Sequence, residues 1–167
     1  MNKRTKKLAI LAMTISLALI LSFVESRIPA FVAIPGIKIG LANIAVIFAL
    51  YRLGVREAIA VSIVRVIIVS MLFGSVASLI YSVSGAVLSL SIMILFKKLT
   101  PLTTVSISVS GGVMHNVGQI AAASFMLNTN VILYYLPFLL FSGTLAGVVI
   151  GIVSALLIKR IPLKYKL

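Results

Sequence analysis

The stretch Val76–Phe96, VASLIYSVSGAVLSLSIMILF, runs straight into Lys97-Lys98-Leu99-Thr100-Pro101. The first segment carries no charge. At about 20 residues it is long enough to cross the hydrocarbon core of a bilayer as one helix. The two lysines and the proline then stop it. Similar apolar runs lie on both sides, and together they predict spans at residues 8–24, 38–51, 57–73, 76–96, 105–127 and 137–158. Residues 25–37 form an outer loop, and the whole chain, 1–167, is one membrane domain. Composition agrees: 62% of the residues are hydrophobic, against about 45–50% in an ordinary soluble domain, and the mean hydropathy is +1.27. Six spans would use roughly 120 residues and leave only short connections. The expected fold is an all-α integral membrane protein, a six-transmembrane-helix bundle without a second, soluble domain or an internal repeat.

The N-terminal sequence MNKRTKK followed by Leu8–Val24 also has the layout of a secretory signal. The run is long for that purpose, no small-x-small cleavage motif follows at once, and further spans come after it. It reads as the first span.

The charges set the topology. The chain has 15 Lys and Arg against 2 acids, Glu25 and Glu57, for a formal net charge of +13. In a soluble protein that balance would point to nucleic acid. Here the basic residues sit between apolar runs, so anionic lipid and membrane topology explain them, and no nucleic-acid partner is expected. With the N-terminus in the cytoplasm, the inner segments hold Lys3, Arg4, Lys6, Lys7, Arg52, Arg56, Lys97, Lys98, Lys159, Arg160, Lys164 and Lys166, whereas the outer segments hold only Arg27 and Lys38. Positive charge gathers on the cytoplasmic side, so both termini are expected there.

The remaining basic residue, Arg65, falls in the middle of the third span. A charge at that depth costs a few kcal/mol unless it meets a polar cavity or a partner. The plainer alternative is an arginine that snorkels or satisfies helix carbonyls, but mid-span depth argues against snorkelling. The fifth span carries a second polar cluster, Gly111-Gly112-Val113-Met114-His115-Asn116-Val117-Gly118-Gln119. His115 and Gln119 are four apart and share a helix face, with Asn116 beside it. The glycines let another backbone or a ligand come close. Such polar residues also serve simply as hydrogen-bonding contacts between helices, and both readings stand. A lone His115 is no metal signal, because no cysteine or aspartate exists to share an ion.

Loop and stripe residues complete the candidate set. Glu25 and Arg27 stand at the outer mouth, Lys38 and Asn43 flank the second span, and Pro29, Pro35 and Gly36 shape an irregular path suited to a lid. Ser78, Ser82, Gly85 and Ser89 make a small polar stripe on the fourth span, beside Tyr81. Gly143, Gly147 and Gly151 form a GxxxGxxxG packing stripe in the sixth. Ala12 with Ser16, and Ala18 with Ser22, are small-xxx-small pairs in the first, where a partner protein could dock.

Several chemistries are excluded. No phosphate loop with a Lys-Ser/Thr ending is present, nor a serine elbow with a supporting acid. No carboxylate lies deep in a span, which speaks against proton or sodium coupling. Uphill movement of a solute would draw its energy from another subunit. No cofactor is expected.

The segments Pro35–Asn43 (PGIKIGLAN), Tyr51–Gly54 (YRLG) and Gly111–Gln119 (GGVMHNVGQ) resemble the Gx transporter family, often labelled heptaprenyl diphosphate synthase component I. The likeness covers nearly the whole chain, and the family resembles the substrate-binding S components of energy-coupling factor (ECF) transporters. That resemblance implies a six-helix subunit of a prokaryotic cell membrane with an outward-facing pocket under the loop between the first two helices. It also implies a transmembrane coupling subunit and two ATPases as partners, with Ala12 and Ser16 the nearest match to the small docking residues of the first helix. The expected function is binding of a small anionic vitamin or precursor by Arg65, His115, Asn116, Gln119, Asn43, Lys38, Tyr81 and Glu25. Two alternatives remain: a non-catalytic membrane subunit or anchor of a polyprenyl diphosphate synthase, and a solitary facilitator. Synthases of that kind resemble one another in DDxxD motifs, which a chain without aspartate cannot carry.

Overall fold

The computed structural model describes residues 2–27 and 40–161. Their regular structure is helical throughout: α1 (Lys3–Arg27), α2 (Asn43–Arg52), α3 (Val55–Phe73), α4 (Val76–Leu99), α5 (Thr104–Leu127), a 3-10 turn at Val131–Tyr135, and α6 (Leu136–Arg160). Tight connections make successive helices alternate in direction. Gly54, at φ 129°, makes the α2–α3 turn. Ser75 caps α4 by accepting the Ser78 N–H at 3.2 Å, and Thr103 caps α5 by accepting the Ser106 N–H at 3.2 Å. Asn128 ends α5 in the left-handed conformation.

The second helix departs from the expected span at 38–51. Gly40 takes φ 78°, Leu41 and Ala42 form a turn, and α2 starts only at Asn43. Ten residues rise about 15 Å, half of a bilayer core of about 30 Å. Among the described residues, three stretches, Arg4–Arg27, Val76–Leu99 and Val131–Arg160, are long and apolar enough to cross a membrane. The other two long helices are the polar ones: α3 carries Arg56, Glu57 and Arg65, and α5 carries His115, Asn116 and Gln119.

Polarity is arranged inside out. Apolar side chains at helical spacing face outward, such as Met13, Leu17, Ile20 and Val24 on α1 and Ile59, Ile63, Ile67 and Met71 on α3. Small polar side chains, among them Thr14, Ser62, Ser89, Ser108 and Ser154, are buried. Water would not tolerate the first pattern, whereas a bilayer requires it. The chain is a membrane protein.

Neighbouring helices close a ring: α1 packs on α3, α3 on α4, α4 on α5, α5 on α6, α6 on α2 and α2 on α1. The basic helix ends lie together at one end of this ring, the end that also holds Lys3 and Arg160. Short α2 fills that half. Its Ile44, Val46, Ile47 and Leu50 are buried against Val61 of α3, Leu90 and Met93 of α4, Ile107 of α5 and Ile150 of α6. Among the described residues, the opposite half has no such plug.

Candidate functional site

That opposite half holds a cavity of about 240 Å³. Each helix contributes to it through its small or polar positions. Ser22, Glu25 and Ser26 come from the last turns of α1, Asn43 and Ile47 from the start of α2, and Arg65, Ser70 and Phe73 from α3. Ser78 and Ser82 come from α4, Gly112, His115 and Asn116 from α5, and Gly143, Ala146 and Gly147 from α6.

Arg65 is the central group. It is only 9% exposed, and its buried Nε has no hydrogen-bond partner. A guanidinium presents five donors in a planar fork and does not give up its proton. A donor left open at that depth is one that a group within the cavity could meet. Glu25, whose charge acts on Arg65, is held at the cavity wall because its Oε1 accepts the N–H of Gly40. That bond links the end of α1 to the approach to α2. Gly40 can present its N–H this way because its positive φ suits glycine.

Asn116 is buried, and its Nδ2 donates to the carbonyl oxygen of Leu139 at 2.6 Å, tying α5 to α6. The α5–α6 contact is backbone on backbone. A Cβ at Gly112 would stand 2.6 Å from the Gly143 oxygen, one at Gly147 2.6 Å from the Val109 Cα, and one at Gly151 2.7 Å from the Val105 Cα. On the other side of α5, a Cβ at Gly85 of α4 would meet the His115 oxygen and the Gln119 Cγ, each at 2.8 Å. His115 thus sits where α4 crosses α5, with its ring at the cavity.

The structure gathers Arg65, Glu25, Asn43, His115 and Asn116 around one space. Gln119 is buried in the α4–α5 contact, and Tyr81 is half-buried on α4; neither lines the cavity. Lys38, with Pro29, Pro35 and Gly36, lies outside the described residues. Ala12 and Ser16 share the exposed face of α1, where the Ser16 hydroxyl donates to the Ala12 carbonyl at 3.0 Å. Ser70 and Ser108 are lining residues that the sequence did not single out. Ser70 had one signal, since it follows Val66 by one helical turn on the face beside Arg65.

Among the described residues, the cavity offers one fixed cation, one carboxylate, an imidazole, two amides and several hydroxyls. Such a set recognises a small polar molecule with an acidic group, because the guanidinium fork matches carboxylate and phosphate. Among the described residues, no three His, Cys, Asp or Glu side chains come together as metal ligands would.

Fold and site together define a polytopic helical membrane protein with a polar cavity in one half of the bundle. The chain belongs to the heptaprenyl diphosphate synthase component I family, whose family model matches residues 14–157. The match runs from Thr14 in α1 to Leu157 in α6 and so includes every lining residue. No curated protein matches the chain, and no solved structure does.

Proposed function

We propose that this chain is the substrate-binding membrane subunit of an energy-coupling factor type uptake transporter, built like an S component, for a small ligand with an acidic group. The observation that carries the reading is the buried Arg65, with its unpartnered Nε, on the wall of an internal cavity. A charge kept at that depth is costly and marks a ligand pathway more readily than a strut. In this reading all six helices belong to one membrane domain. The short α2 crosses together with the segment before it, and both termini are cytoplasmic. The basic end faces inward, as the distribution of Lys and Arg supports, and the cavity faces outward. Arg65 pairs the acidic group, while His115, Asn116 and Asn43 hydrogen-bond the rest. The exposed Ala12 and Ser16 meet a transmembrane coupling subunit, and two ATPases supply the energy.

A second reading rests on the family's name: a non-catalytic membrane subunit that anchors a polyprenyl diphosphate synthase by its basic end. The absence of aspartate leaves a DDxxD catalytic role to the partner. Affinity purification from native membranes in mild detergent, with mass spectrometry of the copurifying proteins, separates the two. Recovery of two ATPases and a coupling membrane protein is the expected result. Recovery of a soluble prenyl synthase without ATPases would refute the transporter reading.

A further inference from the structure

The cavity does not end at the level of Arg65. By the helical rise of about 1.5 Å per residue, Arg65 on α3 and Ile150 on α6 stand roughly 15 Å from the basic ends of their helices, whereas Ile47 on α2 and Met93 on α4 stand roughly 8–9 Å from theirs. All four line the same space. Beyond Arg65 that space runs toward the apolar plug and closes on it, because Ile47, Met93 and Ile150 belong to the hydrophobic core. The helices that carry this floor are tied together: Lys97 of α4 donates to the Leu50 carbonyl of α2, and Arg52 of α2 donates to the Ile158 carbonyl of α6. Ile47, Met93 and Ile150 are each no more than 3% exposed, so the floor is narrow. Toward the other end of the bundle the walls change character, with hydroxyls from Ser70 on α3 and from Ser78 and Ser82 on α4. An ordered internal water needs about two to four polar partners, and among the described side chains at the floor Ser108 alone offers one. A polar group pushed onto that floor loses its hydration without replacement, whereas a methyl group gains by leaving water.

We infer that the ligand is an amphipathic acid: its carboxylate or phosphate pairs Arg65, and a slender aliphatic end enters first and rests on Ile47, Met93 and Ile150. This rests on the substrate-binding reading above and narrows it to acids with a bare hydrocarbon tip. The floor is then the specificity element, because it rejects acids whose far end carries a hydroxyl or a second charge.

The test uses three straight-chain acids of equal length that differ at the far end: hexanoate ends in a methyl group, 6-hydroxyhexanoate in a hydroxyl and adipate in a second carboxylate. Each is titrated by calorimetry against the full chain in lipid nanodiscs, with empty nanodiscs as the blank for partition into the bilayer. Hexanoate should bind at least about fivefold more tightly than 6-hydroxyhexanoate, as expected when a hydroxyl is buried without a partner, and adipate should bind more weakly still. R65Q should lose all three. I47T sets a hydroxyl on the floor and should close most of the gap between hexanoate and 6-hydroxyhexanoate. Equal or tighter binding of 6-hydroxyhexanoate to the wild type, abolished in R65Q, would overturn the inference and leave the substrate-binding reading standing, and so would an I47T variant that keeps the full preference. If I47T does not fold, the wild-type ratio decides alone. Hexanoate binding that survives in R65Q, or no binding of any probe to folded wild-type protein, would bring down both.

Discussion

Replacing Arg65 with leucine separates what this residue costs from what it does. By the helical rise of about 1.5 Å per residue, Arg65 stands roughly 15 Å from Val55 and roughly 12 Å from Phe73, the two ends of α3. A charge at the centre of a spanning helix costs about 2.5–3.5 kcal/mol on insertion scales. Attraction to Glu25 and the polar cavity walls offset part of this, but the unpartnered Nε shows that the offset is incomplete. Replacing buried ionic groups with apolar ones of similar volume is often neutral or stabilising by about 1–4 kcal/mol. R65L should therefore stabilise the protein by about 1–2 kcal/mol. At about 2–4 °C per kcal/mol for a chain of this size, the rise in Tm is roughly 2–8 °C. The assay heats wild type and variant in one detergent and measures the fraction that stays monodisperse. R65K belongs in the series because it keeps the charge and loses the fork, so it should show no such gain. An R65L protein that melts several degrees below wild type would refute the reasoning, since Arg65 would then be a strut holding α3 in place.

Two further outcomes follow from the packing and the charge pattern. Gly112→Ala would set a methyl group 2.6 Å from the Gly143 carbonyl oxygen; prying α5 from α6 should cost about 1–3 kcal/mol, as overpacking typically does, whereas Val149→Ala on the exposed face of α6 should stay within about 0.5 kcal/mol, and equal Tm values for the two variants would contradict the close contact. The chain has no native cysteine, so single cysteines report topology directly: a membrane-impermeant maleimide should label Ser26→Cys and Asn128→Cys from outside intact cells and leave Arg56→Cys and Thr103→Cys untouched, and the reverse pattern would invert the proposed orientation.

The helices were largely legible because lipid imposes a simple rule on sequence. Val76–Phe96 has no charge, Lys97 and Lys98 stop it, and α4 follows those bounds to within three residues. The start of α2 was not legible. Ile37, Ile39 and Leu41 keep the stretch largely apolar despite Lys38 and Gly40, and α2 begins only after Gly40, which takes a positive φ and donates its N–H to Glu25 fifteen residues away. A tertiary contact of that kind leaves no periodicity to read. The site shows the same division. Arg65 stood out because its chemistry is wrong for its depth. Helical spacing placed His115 and Gln119 on one face of α5, but spacing does not say which neighbour covers a face. One turn beyond His115, Gly85 lets α4 close over Gln119 and leaves the cavity below it.

The two halves of the bundle are held by different forces, and the difference bears on function. At the basic end, cations bind helices together across the ring. Lys7 pairs Glu57 at 2.5 Å between α1 and α3. Arg52 donates to the Ile158 carbonyl near the end of α6, and Lys97 donates to the Leu50 carbonyl near the end of α2 while lying 4.7 Å above the Tyr51 ring. Two of these cations sit at C-terminal carbonyls, where the helix dipole favours positive charge. The apolar plug around α2 adds its burial to the same half. Among the described residues the cavity half is lined by serines, glycines and Arg65, whose Nε has no partner, and it holds fewer buried apolar contacts than the basic end. Local stability follows such contacts, and elements that must admit a ligand come from the weakly held end of the range. Among the described residues, then, the clamping contacts gather at one end of the bundle and the cavity residues at the other. That division suits a binding subunit, and it separates the residues that keep the protein folded from those that would choose its ligand.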